Sequence, residues 1–218
     1  MGNVTLGIPK DIVVFLKEIS QINLFIETGT FYGETTKWAA EIFKNVKTIE
    51  FSENIYLNTK SIYSYLSNVE FIYGDSRKEL NKIIEKFHEP AIFWLDAHWC
   101  NLGTYGENDQ CPLLEELDII CSNRLDNIVL IDDARLFLSP PPLPHSTKYY
   151  PSISEIIYKF SHLTYYILIY EDVIICIPNK YKDDFVAYIQ QKNTLKENSQ
   201  KKHKILKYIK RKIKRYLK

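Results

Sequence analysis

Residues 23–36 read Asn23-Leu24-Phe25-Ile26-Glu27-Thr28-Gly29-Thr30-Phe31-Tyr32-Gly33-Glu34-Thr35-Thr36. The apolar run Asn23–Ile26 predicts a strand, the spacing from Gly33 to Phe43 predicts a helix, and the join between them is polar and glycine-bearing. The same unit repeats along the chain. Val46–Phe51, Val69–Tyr73, Ala91–Asp96 and Asn127–Ile131 predict further strands, and Glu53–Leu66, Arg77–Phe87 and Pro112–Cys121 the helices between them. Ile8–Ile19 predicts an amphipathic helix before the first strand. Ser152–Phe160 predicts another helix, followed by Leu163–Tyr170 and Val173–Pro178, which only Glu171-Asp172 separate. Two β-rich runs joined that tightly form a hairpin, so one strand must run antiparallel to the rest. The expected fold is α/β: a doubly wound, mostly parallel, seven-stranded sheet with a terminal antiparallel hairpin.

Composition agrees with one globular body. Hydrophobic residues make up 45% of the 218 and charged residues 25%, which excludes disorder, collagen-like repeats and disulfide miniproteins. The net charge of +1 hides a division. Residues 201–218 hold ten Lys/Arg and no Asp/Glu, leaving 18 basic against 27 acidic residues in 1–200. An acidic body argues against DNA as a partner and makes RNA a poor one. Cys100, Cys111, Cys121 and Cys176 are unevenly spaced without a C-x-x-C, Lys10-Asp11 interrupt any early apolar run, and Glu171-Asp172 break the longest apolar stretch. A reduced, cytoplasmic, soluble protein is expected. The expected division is a domain over 1–180, a helical polar linker over 181–200 and a basic tail over 201–218. Pro140-Pro141-Pro142-Leu143-Pro144 is a stiff loop, a wall or lid beyond the strand that ends near Asp132.

In an open α/β sheet, ligands bind beyond the carboxyl ends of the strands. Gly29 and Gly33 allow close backbone approach there, or serve only a turn and cap. Glu50, 21 residues after Gly29, suits the two hydroxyls of a ribose, or is a solvated acid at a helix start. Gly74-Asp75-Ser76 suits an adenine amino group, or caps the next helix. Asp96, Asp132 and Asp133 emerge from neighbouring strands at one rim. Carboxylates that converge repel unless a cation or a proton intervenes, which points to Mg²⁺, or Mn²⁺ or Ca²⁺; alternatively Asp132 caps a turn and Asp133 is solvated. His98 is a candidate general base, metal ligand or structural histidine packed by Trp94 or Trp99. Zinc on His98, Cys100 and Cys111 lacks a fourth ligand at normal spacing.

Taken together, these residues resemble the class I S-adenosylmethionine-dependent methyltransferases over roughly residues 8 to 180. Glu27-Thr28-Gly29-x-x-x-Gly33 resembles their first motif, Glu50 their ribose-binding acid and Gly74-Asp75-Ser76 their adenine-side turn; the terminal hairpin is similar to their reversed last strand. The resemblance implies a Rossmann-like methyltransferase fold with Glu27, Thr28, Gly29, Thr30, Gly33, Thr35, Glu50, Asp75, Ser76 and Asp96 on the cofactor. Asp96 with Asp132-Asp133 resembles the metal-dependent macrocin-type sugar O-methyltransferases. That implies Mg²⁺ on these three aspartates, Asp96 or His98 as base, and a sugar or glycan acceptor. The sequence departs from that pattern at Ala97-His98-Trp99 and at the Asn101–Gln110 insertion with Gly103, Tyr105 and Gly106. Competing expectations are a metal-dependent hydrolase and a non-catalytic, membrane-tethered nucleoside-binding module.

In the basic tail Ile205, Leu206, Ile209, Ile213, Tyr216 and Leu217 fall at helical spacing. A basic amphipathic helix is expected to lie on an anionic membrane surface, where a lipid-linked glycan acceptor would be met. Docking on the acidic body or on RNA, or a merely solvated end, are the alternatives.

Overall fold

The computed structural model describes residues 7–99, 106 and 108–216. Seven strands form one sheet: β1 (Leu24–Thr28), β2 (Asn45–Glu50), β3 (Val69–Tyr73), β4 (Ala91–Leu95), β5 (Ile128–Ile131), β6 (Tyr165–Tyr170) and β7 (Val173–Pro178). Their spatial order is β3-β2-β1-β4-β5-β7-β6. All pairings are parallel except those of β7, which runs antiparallel to both β5 and β6. The helices are α1 (Lys10–Ser20), α2 (Glu34–Ile42), α3 (Glu53–Ile62), α4 (Ser76–Lys86), α5 (Leu113–Ser122), α6 (Arg135–Leu138), α7 (Ile153–Lys159) and α8 (Lys182–Tyr216). The doubly wound fold expected from the alternation is present, with most ends shifted by one to four residues. The four-residue α6 was not expected; it is too short to carry a helical period.

Strand alternation divides the core between the two faces of the sheet. Leu24 and Ile26 of β1, Phe93 and Leu95 of β4, Val129 and Ile131 of β5 and Ile174 of β7 join one cluster with Leu80 of α4, Leu117 of α5 and Ile156 of α7. On the opposite face Phe25 packs on Phe43 at 5.0 Å and edge-on to Trp38 at 6.5 Å between ring centroids. The central strands are buried on both sides, which is why β4 and β5 read as unbroken apolar runs.

Local chemistry sets the boundaries. Asp75 caps α4 by accepting from Arg77 N at 3.0 Å, and Ser152 with Glu155 forms a capping box on α7. Glu171 and Asp172 both adopt positive φ (49° and 69°), the geometry a two-residue hairpin of the primed type requires. The compact body spans Met1–Asn179 and a second unit spans Lys180–Lys218. In the second unit α8 runs unbroken from Lys182 to Tyr216 through both the expected helical linker and the expected basic tail, and no Gly or Pro follows Pro178 to end it. The side chains from 203 onward, and with them the apolar stripe from Ile205 to Leu217, lie outside the described residues. Among the described residues no helix is long and apolar enough to cross a membrane.

Asn127, 2% exposed, ties β4 to β5 at the end of the sheet away from the site. Its Oδ1 accepts from Ala91 N at 3.0 Å, and its Nδ2 donates to Asn123 Oδ1 at 3.0 Å. Asn127→Ala strands a buried backbone donor and should cost about 1–3 kcal/mol of stability. Equilibrium urea denaturation checks this, and an unchanged midpoint would show that the tie is dispensable.

Candidate active site

The parallel register brings the strand ends level, and the hydrogen-bond ladder continues one residue past them. Gly29 N donates to Ile49 O (3.0 Å), Gly74 N to Glu50 O (2.9 Å), Asp96 N to Thr28 O (3.0 Å) and Asp132 N to Leu95 O (3.1 Å). One rim therefore carries Gly29, Gly74, Asp96 and Asp132 in a row. A cleft opens there, lined by Gly29, Phe31, Ile49, Glu50, Phe51, Gly74, Ser76, Asp96, Ala97, His98 and Asp133.

Its first wall is a tightly wound turn. Gly29, Phe31 and Gly33 all have positive φ (87°, 47° and 75°). A Cβ on Gly29 would stand 2.3 Å from Asp96 O, so the approach of β4's end excludes any side chain here. Phe31 holds its uncommon conformation because its N–H donates to Glu50 Oε2 (2.9 Å) and its carbonyl accepts from Thr59 Oγ1 (2.8 Å). Glu50 Oε1 accepts from Ser52 N at 2.8 Å. Glu50 is thus fixed by one backbone donor on each oxygen and keeps lone pairs for a ligand.

Of the other residues expected on the cofactor, Ser76 and Asp96 line the cleft. Glu27, Thr28, Thr30, Gly33, Thr35 and Asp75 do not. Glu27 is buried behind the turn, accepting from Thr36 Oγ1 and, at 2.8 Å, from Thr48 Oγ1; Thr30 bonds Thr48 at 2.6 Å. Burial pushes the Glu27 pKa up to about 7 against those hydroxyls. Thr35 sits half-buried in the first turn of α2, whose N-cap is Gly33. Asp75 is engaged by its neighbour: Arg77 Nε and Nη2 donate to its two oxygens at 3.0 and 2.7 Å. Burial acts to raise the Asp75 pKa, but Arg77 holds it below the usual range. Phe31 and Phe51 are cleft walls the sequence did not single out; they sit three residues and one residue past a strand end, which is the signal that could have found them.

At the other end His98 lies between two carboxylates. Its Nδ1 is 3.4 Å from Asp96 Oδ1 and its Nε2 3.0 Å from Asp133 Oδ2. Asp133, in the left-handed region at φ 55°, also pairs with Arg135 Nη1 at 2.7 Å. Arg135 is itself held by Asp172 at the hairpin tip, through its side chain and through Arg135 N to Asp172 Oδ1 at 2.9 Å. Asp132 turns back to accept from Asp133 N at 2.7 Å. Burial acts to lower the His98 pKa, but the hydrogen bond to Asp133 and the surrounding carboxylates raise it above its ordinary value. Burial and the neighbouring aspartates raise Asp96 well above its own against the pull of His98, and burial with Asp133 takes Asp132 to about 6. Burial acts to raise Asp133 too, but His98 and Arg135 hold it low.

The metal expected on Asp96, Asp132 and Asp133 finds no support in this arrangement. Among the described residues no three His, Cys, Asp or Glu side chains are arranged to hold an ion. The repulsion among Asp96, Asp132 and Asp133 is met by His98 and Arg135, and a guanidinium on Asp133 is a poor neighbour for a divalent cation. The hydrolase alternative depended on that site and loses its footing. Cys111, Cys121 and Cys176 are buried free thiols; Cys100 and the insertion residues Gly103 and Tyr105 lie outside the described residues. The expected proline loop, residues 140–144, does not line the cleft, and the residues that follow it are held near Trp99 and Gln110. Ser146 N donates to Gln110 Oε1 (2.9 Å), and His145 stands edge-on to Trp99 at 5.7 Å between centroids.

Sheet order, reversed β7 and rim cleft together define the Rossmann-like methyltransferase fold. No protein-family model matches the sequence, and no curated protein sequence does. Several solved structures share the fold. A protein provisionally described as a caffeoyl-CoA O-methyltransferase from Staphylococcus aureus is 16% identical, with 81% of this chain and 86% of that one covered and a TM-score of 0.58. The O-methyltransferase TomG from Streptomyces achromogenes, involved in tomaymycin synthesis and solved with SAM, is 15% identical over 80% and 82% (TM-score 0.55). An O-methyltransferase from Bacillus cereus in complex with SAH is 16% identical over 79% and 82% (TM-score 0.54). At these identities the likeness is one of fold.

The cleft thus sets a turn with no room for a Cβ at Gly29, where the end of β4 comes close, beside a carboxylate fixed by two backbone donors. Gly29→Ala imposes both a disfavoured φ and a clash with backbone and should cost roughly 2–5 kcal/mol. A urea midpoint equal to that of the parent chain would show that β1 and β4 have room to part.

Proposed function

We propose that the protein is an S-adenosylmethionine-dependent O-methyltransferase acting on a hydroxyl of a sugar or glycan. The observation that carries this is the pairing, in one cleft, of a fixed Glu50 beside Gly29 with the Asp96–His98–Asp133 cluster at the far end. Glu50 would accept the two ribose hydroxyls, Gly29 would admit the backbone approach, and Phe31 and Phe51 would flank the nucleoside. When bound, S-adenosylmethionine supplies an electrophilic methyl group. The chain's own task is to orient the acceptor hydroxyl and take its proton.

Asp96 is the favoured base. Its side chain is 34% exposed, against 13% for His98 and 19% for Asp133, and its raised pKa makes it a stronger proton acceptor. Both His98 nitrogens face carboxylates, an arrangement that suits the imidazolium. His98 then holds Asp96 in place. The sugar acceptor is supported by the resemblance around Asp96 and Asp132-Asp133 rather than by any contact. The basic run 201–218 supports a cytoplasmic enzyme working at an anionic membrane surface, where the acceptor is lipid-linked.

Calorimetry with S-adenosylmethionine tests the core of the proposal. Glu50→Ala should weaken binding by about tenfold or more, since two charge-assisted hydrogen bonds are lost. Unchanged affinity in a folded variant would remove the cofactor assignment. With an acceptor in hand, Asp96→Asn should lower turnover by about 10²–10⁴-fold while methyl transfer survives chelation. Loss of activity on chelation, restored by Mg²⁺, would return the three aspartates to a metal role.

The membrane surface has its own test. Co-sedimentation with anionic vesicles should retain the full chain, release it on added salt, which screens over roughly 8–10 Å, and fail for a chain lacking residues 201–218. Equal sedimentation of both forms would withdraw the lipid-linked acceptor.

A further inference from the structure

Helix α5 carries an acid in its apolar stripe. Leu113, Leu117 and Ile120 are buried at helical spacing, and Glu116, on the same face, is 1% exposed. Two hydroxyls stand beside it. Thr28, the last residue of β1, and Ser76, the first of α4, set their hydroxyls close enough to pull the Glu116 pKa back. Yet Thr28 Oγ1, Ser76 Oγ and Glu116 Oε1 are all buried and, among the described residues, none completes a hydrogen bond. Three unpaired polar atoms drawn from three elements and gathered at one point are rare in a protein interior. They also stand against the cleft: Ser76 lines it, and Thr28 precedes Gly29, which does too.

We infer that Glu116 is a positioning residue for the nucleoside end of the cleft, closing with Thr28 and Ser76 into a buried polar support when the cofactor orders the Ser76 turn. This rests on the proposed cofactor. The neutral carboxyl both donates and accepts, so it can join the two hydroxyls at once, each of which does the same. Burial raises Glu116 to about 7, so the acid form is available below that. The charged groups facing it are Asp75 at the cap of α4 and Glu115 on its own helix, and both disfavour its ionisation. Arg77 is engaged by that same pair, at 2.7 Å from Asp75 and 3.7 Å from Glu115.

The experiment compares the full chain with Glu116→Gln and Glu116→Leu by S-adenosylmethionine calorimetry at pH 6 and pH 8.5. Glu116→Gln keeps a donor and an acceptor; it should bind within about twofold of the parent at pH 6 and severalfold tighter than it at pH 8.5. Glu116→Leu leaves both hydroxyls orphaned and should bind about tenfold more weakly at pH 6. Melting supplies a readout free of the cofactor. A raised acid holds in the folded state a proton that the unfolded chain has released, so it depresses stability increasingly as pH climbs from about 4.5 to 7. Glu116→Gln should therefore gain melting temperature relative to the parent between pH 5 and pH 8. Parent-like binding by Glu116→Leu, parallel pH dependence of parent and Glu116→Gln, or no relative gain on melting overturns the inference. A parent chain that binds no S-adenosylmethionine while the melting gain appears would instead overturn the proposed cofactor.

Discussion

The site depends on one electrostatic constraint: a parallel register that levels the ends of β1, β4 and β5 also crowds Asp96, Asp132 and Asp133 at one rim. Like charges at such range cannot all ionise in a partly dry pocket without compensation. Two nitrogen-bearing side chains provide it. His98 spans Asp96 and Asp133, and Arg135 takes the free side of Asp133. Arg135 is in turn set by Asp172, 37 residues on, at the tip of the β6–β7 hairpin. The antiparallel hairpin that marks the fold is therefore a part of the site's charge balance. It pins Ala134 and Arg135 by backbone bonds at 2.7 and 2.9 Å, and so holds Asp133 in its left-handed conformation.

The Gly29 end of the cleft obeys a different rule, one of space. The turn from Gly29 to Gly33 winds through three positive-φ residues; β4's carbonyl fills the room a side chain would need at Gly29, and Thr59 with Tyr63 does so at Gly33. Glu50 serves that turn before it serves any ligand, since Phe31 N and Ser52 N occupy one lone pair on each of its oxygens. A carboxylate already fixed by the backbone loses little further freedom when it accepts hydroxyls, which is the sense in which such a cradle is preorganised.

Much of the fold was legible because its signals are local and repeated. Apolar runs bounded by polar turns gave all seven strands, and the two-residue Glu171-Asp172 join gave the reversal. Helix α6 was not, because four residues hold no period. The rim residues were legible through the strand-end rule, which found Gly29, Glu50, Ser76, Asp96, His98 and Asp133. The failures are of partnership. Arg77 stands two residues from Asp75 and Arg135 two from Asp133, so both pairings were visible in sequence but went unread, although the capping role of Asp75 was among the readings. Glu116 was missed although an acid inside a Leu113–Leu117–Ile120 stripe is itself a signal.

The remaining acid, Glu27, shows what the arrangement demands of the core. It is fully buried, 1% exposed, with only Thr36 and Thr48 to offset its desolvation, and its pKa stands at about 7. Such a group weakens the fold as pH rises from about 4.5 to 7, whereas Asp75 and Asp133, held low by Arg77, His98 and Arg135, support it until acid protonates them. The raised acid acts above about 4.5 and the lowered ones only below the ordinary aspartate value, so these groups oppose the fold least in the narrow acidic interval between. An apolar residue at 27 would remove the first penalty, but it would leave the hydroxyls of Thr36 and Thr48 without their acceptor directly behind the Gly29 turn. The buried acid is thus bound to the threonines that brace the cleft, and its instability at higher pH is inseparable from that bracing.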